Sequence, residues 1–221
     1  MKKWNGPIAR LLWIAPLLIA LAACGGKVVD PNDPESLYKE AESEIETDHY
    51  QLALDKFRAV KNKFPYSQWA VSAQLRIADV YYMQESFAEA ALAYEAFKDL
   101  HPKHERVGYA MFRLAKAHEG DMPGNVARDL TPGQRALDSY NDYLRRFPNA
   151  PETQEAREAV ARIRGTLSEK ELYIGNFYYR QSAYDSARSR YRKLLELYPE
   201  SPHAKEAQEK LASIDKRLKQ K

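Results

Sequence analysis

Hydrophobic and polar positions follow the period of an α-helix from about residue 34 to the end of the chain. Apolar side chains recur three and four positions apart in segments rich in Ala, Glu, Lys, Leu, Arg and Tyr, and strand-like alternation is almost absent. Four of these segments end in a residue with a ring side chain followed by proline: Phe64-Pro65, His101-Pro102, Phe147-Pro148 and Tyr198-Pro199. Proline lacks an amide donor and clashes with the preceding turn, so it marks helix ends. The pattern predicts an all-α chain.

Counting back from each proline reveals an internal repeat of about 34 residues. Small and aromatic residues recur at fixed offsets in the four units: Ala41, Ala53 and Phe57; Ala78, Tyr81, Ala90 and Tyr94; Ala115, Ala136 and Tyr140; Gly175, Tyr178, Ala187 and Tyr191. Small residues let the two helices of a hairpin approach closely, and the aromatic residue fills the remaining gap. The pattern predicts a tetratricopeptide-type right-handed helical solenoid of about four to five hairpins, closed by a polar capping helix in 202–221.

Two segments depart from the regular spacing. The third unit carries an insertion, 119–134, which contains Met122-Pro123-Gly124 and Thr131-Pro132-Gly133 and is predicted to be a loop between two helices. The stretch 151–182 is long enough for an additional helix, and its sequence permits either one long helix or two helices broken near Gly165. We therefore assign three repeats to 34–150 and the remaining repeats, with the capping helix, to 151–221.

The N-terminal residues have the pattern of a bacterial export signal. Lys2, Lys3 and Arg10 precede an apolar run that is shorter than the roughly 20 residues of a membrane-spanning helix. The run ends in Leu21-Ala22-Ala23-Cys24, which resembles the lipobox of bacterial lipoproteins. The resemblance implies that residues 1–23 are removed, that Cys24 carries a covalent lipid, and that 24–33 form a flexible tether. Because Gly25 rather than Asp follows the cysteine, the same resemblance implies anchoring in the outer membrane, facing the periplasm.

Charge and motif content argue against nucleic acid binding and catalysis. Without the three basic residues that precede Cys24, the chain has 31 basic and 31 acidic residues, so its basic pI comes from the signal segment. The sequence has no phosphate-binding loop, catalytic motif or cysteine pair. His101 and His104 are close in sequence but lack an evident third metal ligand. We expect a non-enzymatic protein without a metal or other cofactor, apart from the lipid.

Repeat proteins of this type bind partners in the concave groove that is lined by the first helix of each hairpin. The usual groove offsets select seven residues: Tyr38, Glu42, Leu75, Asp79, Tyr82, Phe112 and Lys116. Arg76 and Arg113 lie beside them at equivalent places in successive units, so the predicted surface combines aromatic side chains, cations and carboxylates. Such a surface suits an extended peptide with an aromatic residue and a free carboxylate. The alternative for each residue is that it packs against a neighbouring helix.

Several segments resemble the BamD family, the lipoproteins of the β-barrel assembly machine. The resemblance rests on Lys63-Phe64-Pro65-Tyr66-Ser67, on 73–82, on 128–136 and on Asn176-Phe177-Tyr178-Tyr179. It implies a scaffold whose N-terminal repeats bind the C-terminal signals of unfolded outer-membrane proteins. It also implies that the C-terminal repeats dock on the POTRA domains of an Omp85-type β-barrel protein, with other assembly lipoproteins as further partners.

Two other functions share the same anchor and repeats. A pilotin-type lipoprotein would assist assembly of a secretin or type IV pilus, and an envelope scaffold would bind peptidoglycan or Tol-type proteins. These two hypotheses differ from the BamD-type hypothesis in the partner rather than in the fold, and the sequence leaves them open.

Overall fold

A computed structural model describes residues 30–219; Cys24, the predicted signal segment and residues 25–29 of the tether lie outside this range. Residues 30–219 form nine α-helices and no strand. In chain order they are α1 (Pro34–Glu46), α2 (Tyr50–Lys63), α3 (Gln68–Met83), α4 (Phe87–Leu100), α5 (Val107–Gly120), α6 (Thr131–Arg146), α7 (Thr153–Arg180), α8 (Tyr184–Leu197) and α9 (Ala204–Lys219). Each helix packs against the next in sequence. The predicted all-α helical-repeat solenoid is confirmed.

The second helix of each of the four hairpins is capped by the residue that directly precedes the proline. Phe64, His101, Phe147 and Tyr198 are the C-terminal caps of α2, α4, α6 and α8. The amide of each cap donates to the carbonyl four residues earlier, with N···O distances of 2.8 to 3.0 Å. The following proline cannot donate in turn, so the helix stops there. The stop signals in the sequence are therefore confirmed.

The small and aromatic positions of the repeat form the contact between the two helices of each hairpin. Ala41, Ala53 and Phe57 are fully buried in one apolar cluster, and Ala78, Ala90 and Tyr94 are fully buried in the next. In the last hairpin the small position is a glycine. A Cβ atom placed on Gly175 of α7 would lie 2.5 Å from Cε1 of Tyr191 in α8. The side chain of Tyr191 thus occupies the space that a larger residue at 175 would need.

The turn inside three of the four hairpins has one common geometry. Asp48, Glu85 and Ser182 adopt positive φ angles of 59°, 58° and 59°. The next amide, of His49, Ser86 or Ala183, donates to the carbonyl five residues earlier at 2.9 to 3.0 Å. This is the left-handed C-terminal cap that usually contains glycine. Here non-glycine residues adopt it in all three turns, so no glycine in the sequence marks them.

The third hairpin has the inserted connection in place of that turn, and the loop is shorter than predicted. Helix α5 continues through Gly120 and α6 begins at Thr131, so the connection is 121–130 rather than 119–134. Thr131-Pro132-Gly133 was predicted to be loop but forms the first turn of α6, because proline is well tolerated where a helix amide has no partner anyway. Asp129 Oδ1 accepts hydrogen bonds from the amide and hydroxyl of Thr131, at 3.0 and 2.8 Å.

Helix α7 settles the alternative that the sequence left open. It is a single helix of 28 residues, about 42 Å long at 1.5 Å per residue. Gly165 lies within it, and apart from the adjacent backbone of the helix itself no atom of the described residues lies within 4 Å of the position that a Cβ would occupy. The N-terminal half packs on the third hairpin through Ala156, Ala159 and Ile163, and the C-terminal half packs on α8.

Candidate binding groove

A buried carboxylate on α3 connects three helices beneath the groove. Asp79 is only 1% exposed. Its Oδ1 accepts hydrogen bonds from the hydroxyls of Tyr94 at 2.7 Å and Tyr109 at 2.8 Å, and its Oδ2 accepts one from Arg76 Nη1 at 2.9 Å. Burial, followed by the charge of Asp79, raises the pKa of Tyr109 to about 12, so both hydroxyls keep the protons they donate. Asp79 is therefore a structural hub and does not face a ligand directly.

Arg76 is also held within the protein. Its Nε and Nη2 donate to the two carboxylate oxygens of Glu42, each at 2.7 Å, and so join α3 to α1. Burial alone would lower the pKa of Arg76, but the hydrogen bonds and charges of Glu42 and Asp79 outweigh this and raise the pKa. With two carboxylates around it, this guanidinium has little residual charge to offer an anionic ligand.

Tyr38 lies at the N-terminal end of the same network. Its ring packs against Phe57 and Trp69, with centroid distances of 5.2 and 5.0 Å. Burial and then the neighbouring Glu42 raise the pKa of its hydroxyl. Tyr38, Glu42, Arg76 and Asp79 thus lie together, and the contacts that hold them are mainly with one another.

Arg113 differs from Arg76, although the repeat places them in equivalent positions. Arg76 lies 34 residues after Glu42, and the residue 34 positions before Arg113 is Asp79. Asp79 already accepts three hydrogen bonds, and Arg113 instead donates its Nε to the Tyr94 hydroxyl at 3.2 Å. Its guanidinium carbon lies 3.8 Å from the centroid of the Tyr82 ring, which is the spacing of a cation–π contact.

A second arginine lies close by. Arg106 has its guanidinium carbon 4.6 Å from the centroid of the Tyr109 ring, whose other neighbour is Arg113 at 6.0 Å. Within residues 30–219 neither arginine forms an ion pair with a carboxylate. We call Tyr82, Arg106, Tyr109 and Arg113 the cation–aromatic site. The sequence analysis named Tyr82 and Arg113 but missed Arg106, which precedes α5, and Tyr109, which lies one turn before Arg113.

Three of the predicted groove residues are placed elsewhere. Leu75 is a core residue, 1% exposed. Phe112 is buried with its ring 6.1 Å from Tyr140 and 5.3 Å from Tyr143. Lys116 pairs with Glu155 of α7 at 2.7 Å. These residues contact neighbouring helices: Leu75 of α3 packs in the cluster shared with α4 and α5, Phe112 packs against α6, and Lys116 pairs with α7.

The C-terminal half has an exposed aromatic surface of a different kind. Tyr173 and Phe177 lie one turn apart on α7, and each is 47% exposed. One turn earlier, Lys170 donates to the carbonyls of Val126, at 3.2 Å, and Arg128, and so fastens the inserted connection to α7. On the α8 side, the buried carboxylate of Glu171 pairs with Arg190 at 3.2 Å and Lys193 at 2.6 Å.

None of the described helices is both long and apolar enough to cross a membrane. Comparison with solved structures gives distant helical-repeat likenesses. One is the TPR-like repeats of a putative kinesin light chain from Podosopora anserina, 14% identical, with a TM-score of 0.47 over 87% of this chain and 99% of that one.

Sequence comparison gives more extensive matches. The outer membrane protein assembly factor BamD of Vibrio cholerae is 25% identical over 82% of this chain and 79% of its own length. The BamD of Neisseria gonorrhoeae is 25% identical over 90% of this chain and 80% of its own, and that of Caulobacter vibrioides is 28% identical over 88% and 66%. These relatives are assembly factors, a non-enzymatic kind of protein, and they confirm the resemblance seen in the sequence. The family model described as YfiO, outer membrane lipoprotein, matches residues 30–221, and the chain therefore belongs to that family.

Proposed function

We propose that this protein is a lipid-anchored scaffold for the assembly of β-barrel proteins in the outer membrane. It holds the C-terminal segments of unfolded outer-membrane proteins at the cation–aromatic site and docks through its C-terminal repeats on the POTRA domains of an Omp85-type barrel. The family and the BamD relatives support the general role. The observation that supports the binding site is that Arg113, a half-buried cation, stacks on Tyr82 and has no carboxylate partner in residues 30–219.

The chemistry of the site suits a peptide that ends in an aromatic residue and a free carboxylate. A carboxylate accepts two parallel hydrogen bonds from a guanidinium, and this geometry favours arginine over lysine. The Nε of Arg113 is engaged by Tyr94, which leaves its Nη groups for a ligand and fixes the orientation of the fork. Tyr82 and Tyr109 present ring surface beside it, against which an aromatic side chain packs at an offset or edge-on.

The test uses peptides with the last ten residues of a β-barrel protein that ends in phenylalanine. The free acid is expected to bind wild-type protein at least about tenfold more tightly than the C-terminal amide, a difference of ~1.4 kcal/mol. Arg113→Gln should weaken binding of the free acid by a similar factor and leave binding of the amide unchanged. Fluorescence anisotropy with labelled peptides measures both constants.

Arg192→Gln is the matched control, since Arg192 is an exposed arginine on α8 in the last hairpin. It should bind both peptides as wild type does. Equal affinity of wild-type protein for acid and amide would contradict the carboxylate role of Arg113. Failure of both peptides to bind would contradict client recognition at this site altogether.

The docking proposal concerns Tyr173 and Phe177, because exposed aromatic side chains often dominate the binding energy of protein interfaces. The double substitution Tyr173→Ala and Phe177→Ala should reduce at least tenfold the amount of Omp85-type barrel that co-purifies with the intact lipoprotein from detergent-solubilised outer membranes. Tyr66→Ala, at an exposed tyrosine in the turn between α2 and α3, is the control and should retain the barrel. Recovery of a secretin or pilus component instead of the barrel would establish the pilotin function.

The proposed anchor is tested at Cys24, outside the described residues. Cys24→Ser removes the thiol that the lipid would occupy, and we expect a folded protein that is released from membranes into the soluble periplasmic fraction. Circular dichroism should show the helical content of the wild-type protein, because the substitution lies before the helices of residues 30–219, which begin at Pro34. Full retention of the variant in the membrane fraction would refute lipid anchoring at this residue.

A further inference from the structure

Helix α4 exposes an apolar stripe along its entire length. Ala88, Leu92, Ala96 and Leu100 occur at every fourth position and are all exposed, Leu92 by 69% and Leu100 by 67%. Residues four apart lie on one side of a helix, so these side chains form a ridge about 18 Å long at 1.5 Å per residue. We call these four residues the α4 stripe. It lies on the second helix of its hairpin, whereas the cation–aromatic site is built largely on α3 and α5.

The hairpin fold does not require the apolar character of the stripe. When the four hairpins are aligned on the buried residues Ala53, Ala90, Ala136 and Ala187, the position of Leu92 is occupied elsewhere by Asp55, Asp138 and Ser189. Those equivalents are polar because the position faces outward. A large exposed leucine in this one hairpin therefore has no structural reason within the described residues.

A cleft borders the stripe on the side of α6. It has a volume of about 430 Å³ and is lined by Ala88, Ala91 and Leu92 from α4 and by His118 and Ser139 opposite them. A second cleft of about 310 Å³ adjoins it and reaches Met111 and Leu114 of α5. Glu95, Asp138 and Ser139 line both clefts, so together they form one groove that accepts side chains alongside the ridge.

The rim of this groove is mainly acidic. Six carboxylates flank the stripe or line the groove, against three cations: Glu89, Glu95, Asp99, Asp121, Asp138 and Asp142, with Lys98, Arg135 and Arg145. Two of the cations are already engaged, since Lys98 lies 3.5 Å from both Glu95 and Asp99, and Arg145 pairs with Asp142. The excess of negative charge favours a partner that brings positive charge.

We propose that the α4 stripe and its groove dock an amphipathic α-helix of a partner protein, whose apolar ridge is flanked by lysine or arginine. A helix of about three turns matches the stripe in length, and its side chains at every third and fourth position fit the ridge and the groove. A second copy of this chain fits poorly, because a two-fold contact would place the acidic rim against itself. An anionic membrane surface is disfavoured by the same charges.

The test is photo-crosslinking of the full-length lipoprotein in its own outer membrane, with p-benzoylphenylalanine in place of Leu92. The control carries the same probe in place of Ser189, the equivalent position on α8. The expected product at 92 joins the protein to a segment with apolar residues three and four apart over at least three turns and with at least two flanking Lys or Arg. A crosslink to a second copy, to lipid alone, to an acidic or uncharged segment, or no product beyond that at 189, would overturn the proposal.

Binding of the crosslinked segment as a synthetic peptide then tests the chemistry. Leu92→Lys should weaken its binding at least tenfold, since it removes apolar contact and adds like charge. Leu52→Lys, at an exposed leucine of α2, should have no effect. Charge reversal by Asp138→Lys should weaken binding of the peptide at least fivefold at low ionic strength.

Equal binding of the peptide by the Leu92→Lys variant and by wild type would contradict docking at the stripe. Arg113→Gln should leave this peptide unaffected, which separates this site from the client groove.

Discussion

Replacing Asp79 by alanine is expected to lower the free energy of unfolding by about 3 to 5 kcal/mol. The substitution removes the acceptor of two tyrosine hydroxyls and of one N–H of Arg76. The Tyr94 hydroxyl is buried between helices, where water does not replace the lost acceptor, and an unsatisfied buried donor costs about 1 to 3 kcal/mol. Arg76 would retain Glu42, so the loss comes mainly from the contacts between α3, α4 and α5.

Two companion variants separate the causes of this loss. Asp79→Asn keeps the volume and one acceptor oxygen but removes the charge, and it should cost less, about 1 to 3 kcal/mol. Asp55→Ala removes an exposed carboxylate of α2 that pairs with Arg58 at 3.0 Å, and it should change stability by no more than about 0.5 kcal/mol. Urea unfolding followed by circular dichroism gives all three values. Similar losses for Asp79→Ala and Asp55→Ala would show that the hub does not stabilise the fold.

The repeat fold was predictable because its determinants are local. A ring residue before proline ended each second helix, and the spacing of small and aromatic residues located the contact inside each hairpin. Gly175 and Tyr191 illustrate this, since a glycine in the small slot of α7 implies a large partner in α8, and the structure places the ring there. The same patterns did not reveal the left-handed turns at Asp48, Glu85 and Ser182, because none of them contains the glycine that usually marks such a turn.

The candidate site was only partly predictable, because side chains far apart in sequence decide which cations remain available. Arg76 and Arg113 occupy equivalent positions and are indistinguishable in sequence. Glu42 accepts hydrogen bonds from Arg76 with both of its carboxylate oxygens. Asp79, the equivalent carboxylate for Arg113, instead accepts hydrogen bonds from Tyr94 and Tyr109, which lie 15 and 30 residues after it in sequence. Arg113 therefore has no such partner and stacks on the ring of Tyr82. Phe112 was assigned to the groove, but its side chain is buried. Its burial depends on α6, which follows the inserted connection and lies far from Phe112 in sequence.

Replacing Ala90 by arginine is expected to lower the free energy of unfolding by more than about 4 kcal/mol, a large share of the roughly 5 to 15 kcal/mol that stabilises a single domain. Ala90 is 0% exposed and lies in the cluster that contains Ala78, Tyr94 and Phe97. An arginine there would force α3 and α4 apart, and its charge would be buried without a partner. Thermal unfolding should show a much lower transition temperature, or no cooperative transition.

Ala96→Arg makes the same chemical change on the same helix at an exposed position. It should alter stability by no more than about 0.5 kcal/mol, because the long side chain extends into solvent. If Ala90→Arg does not yield folded protein, Ala90→Val supplies a milder test: two added methyl groups at the contact should cost about 1 to 3 kcal/mol. Wild-type stability of either Ala90 variant would mean that the small residues do not set the separation of the two helices. The repeat register, and with it the placement of Arg113 beside Tyr82, would then need another explanation.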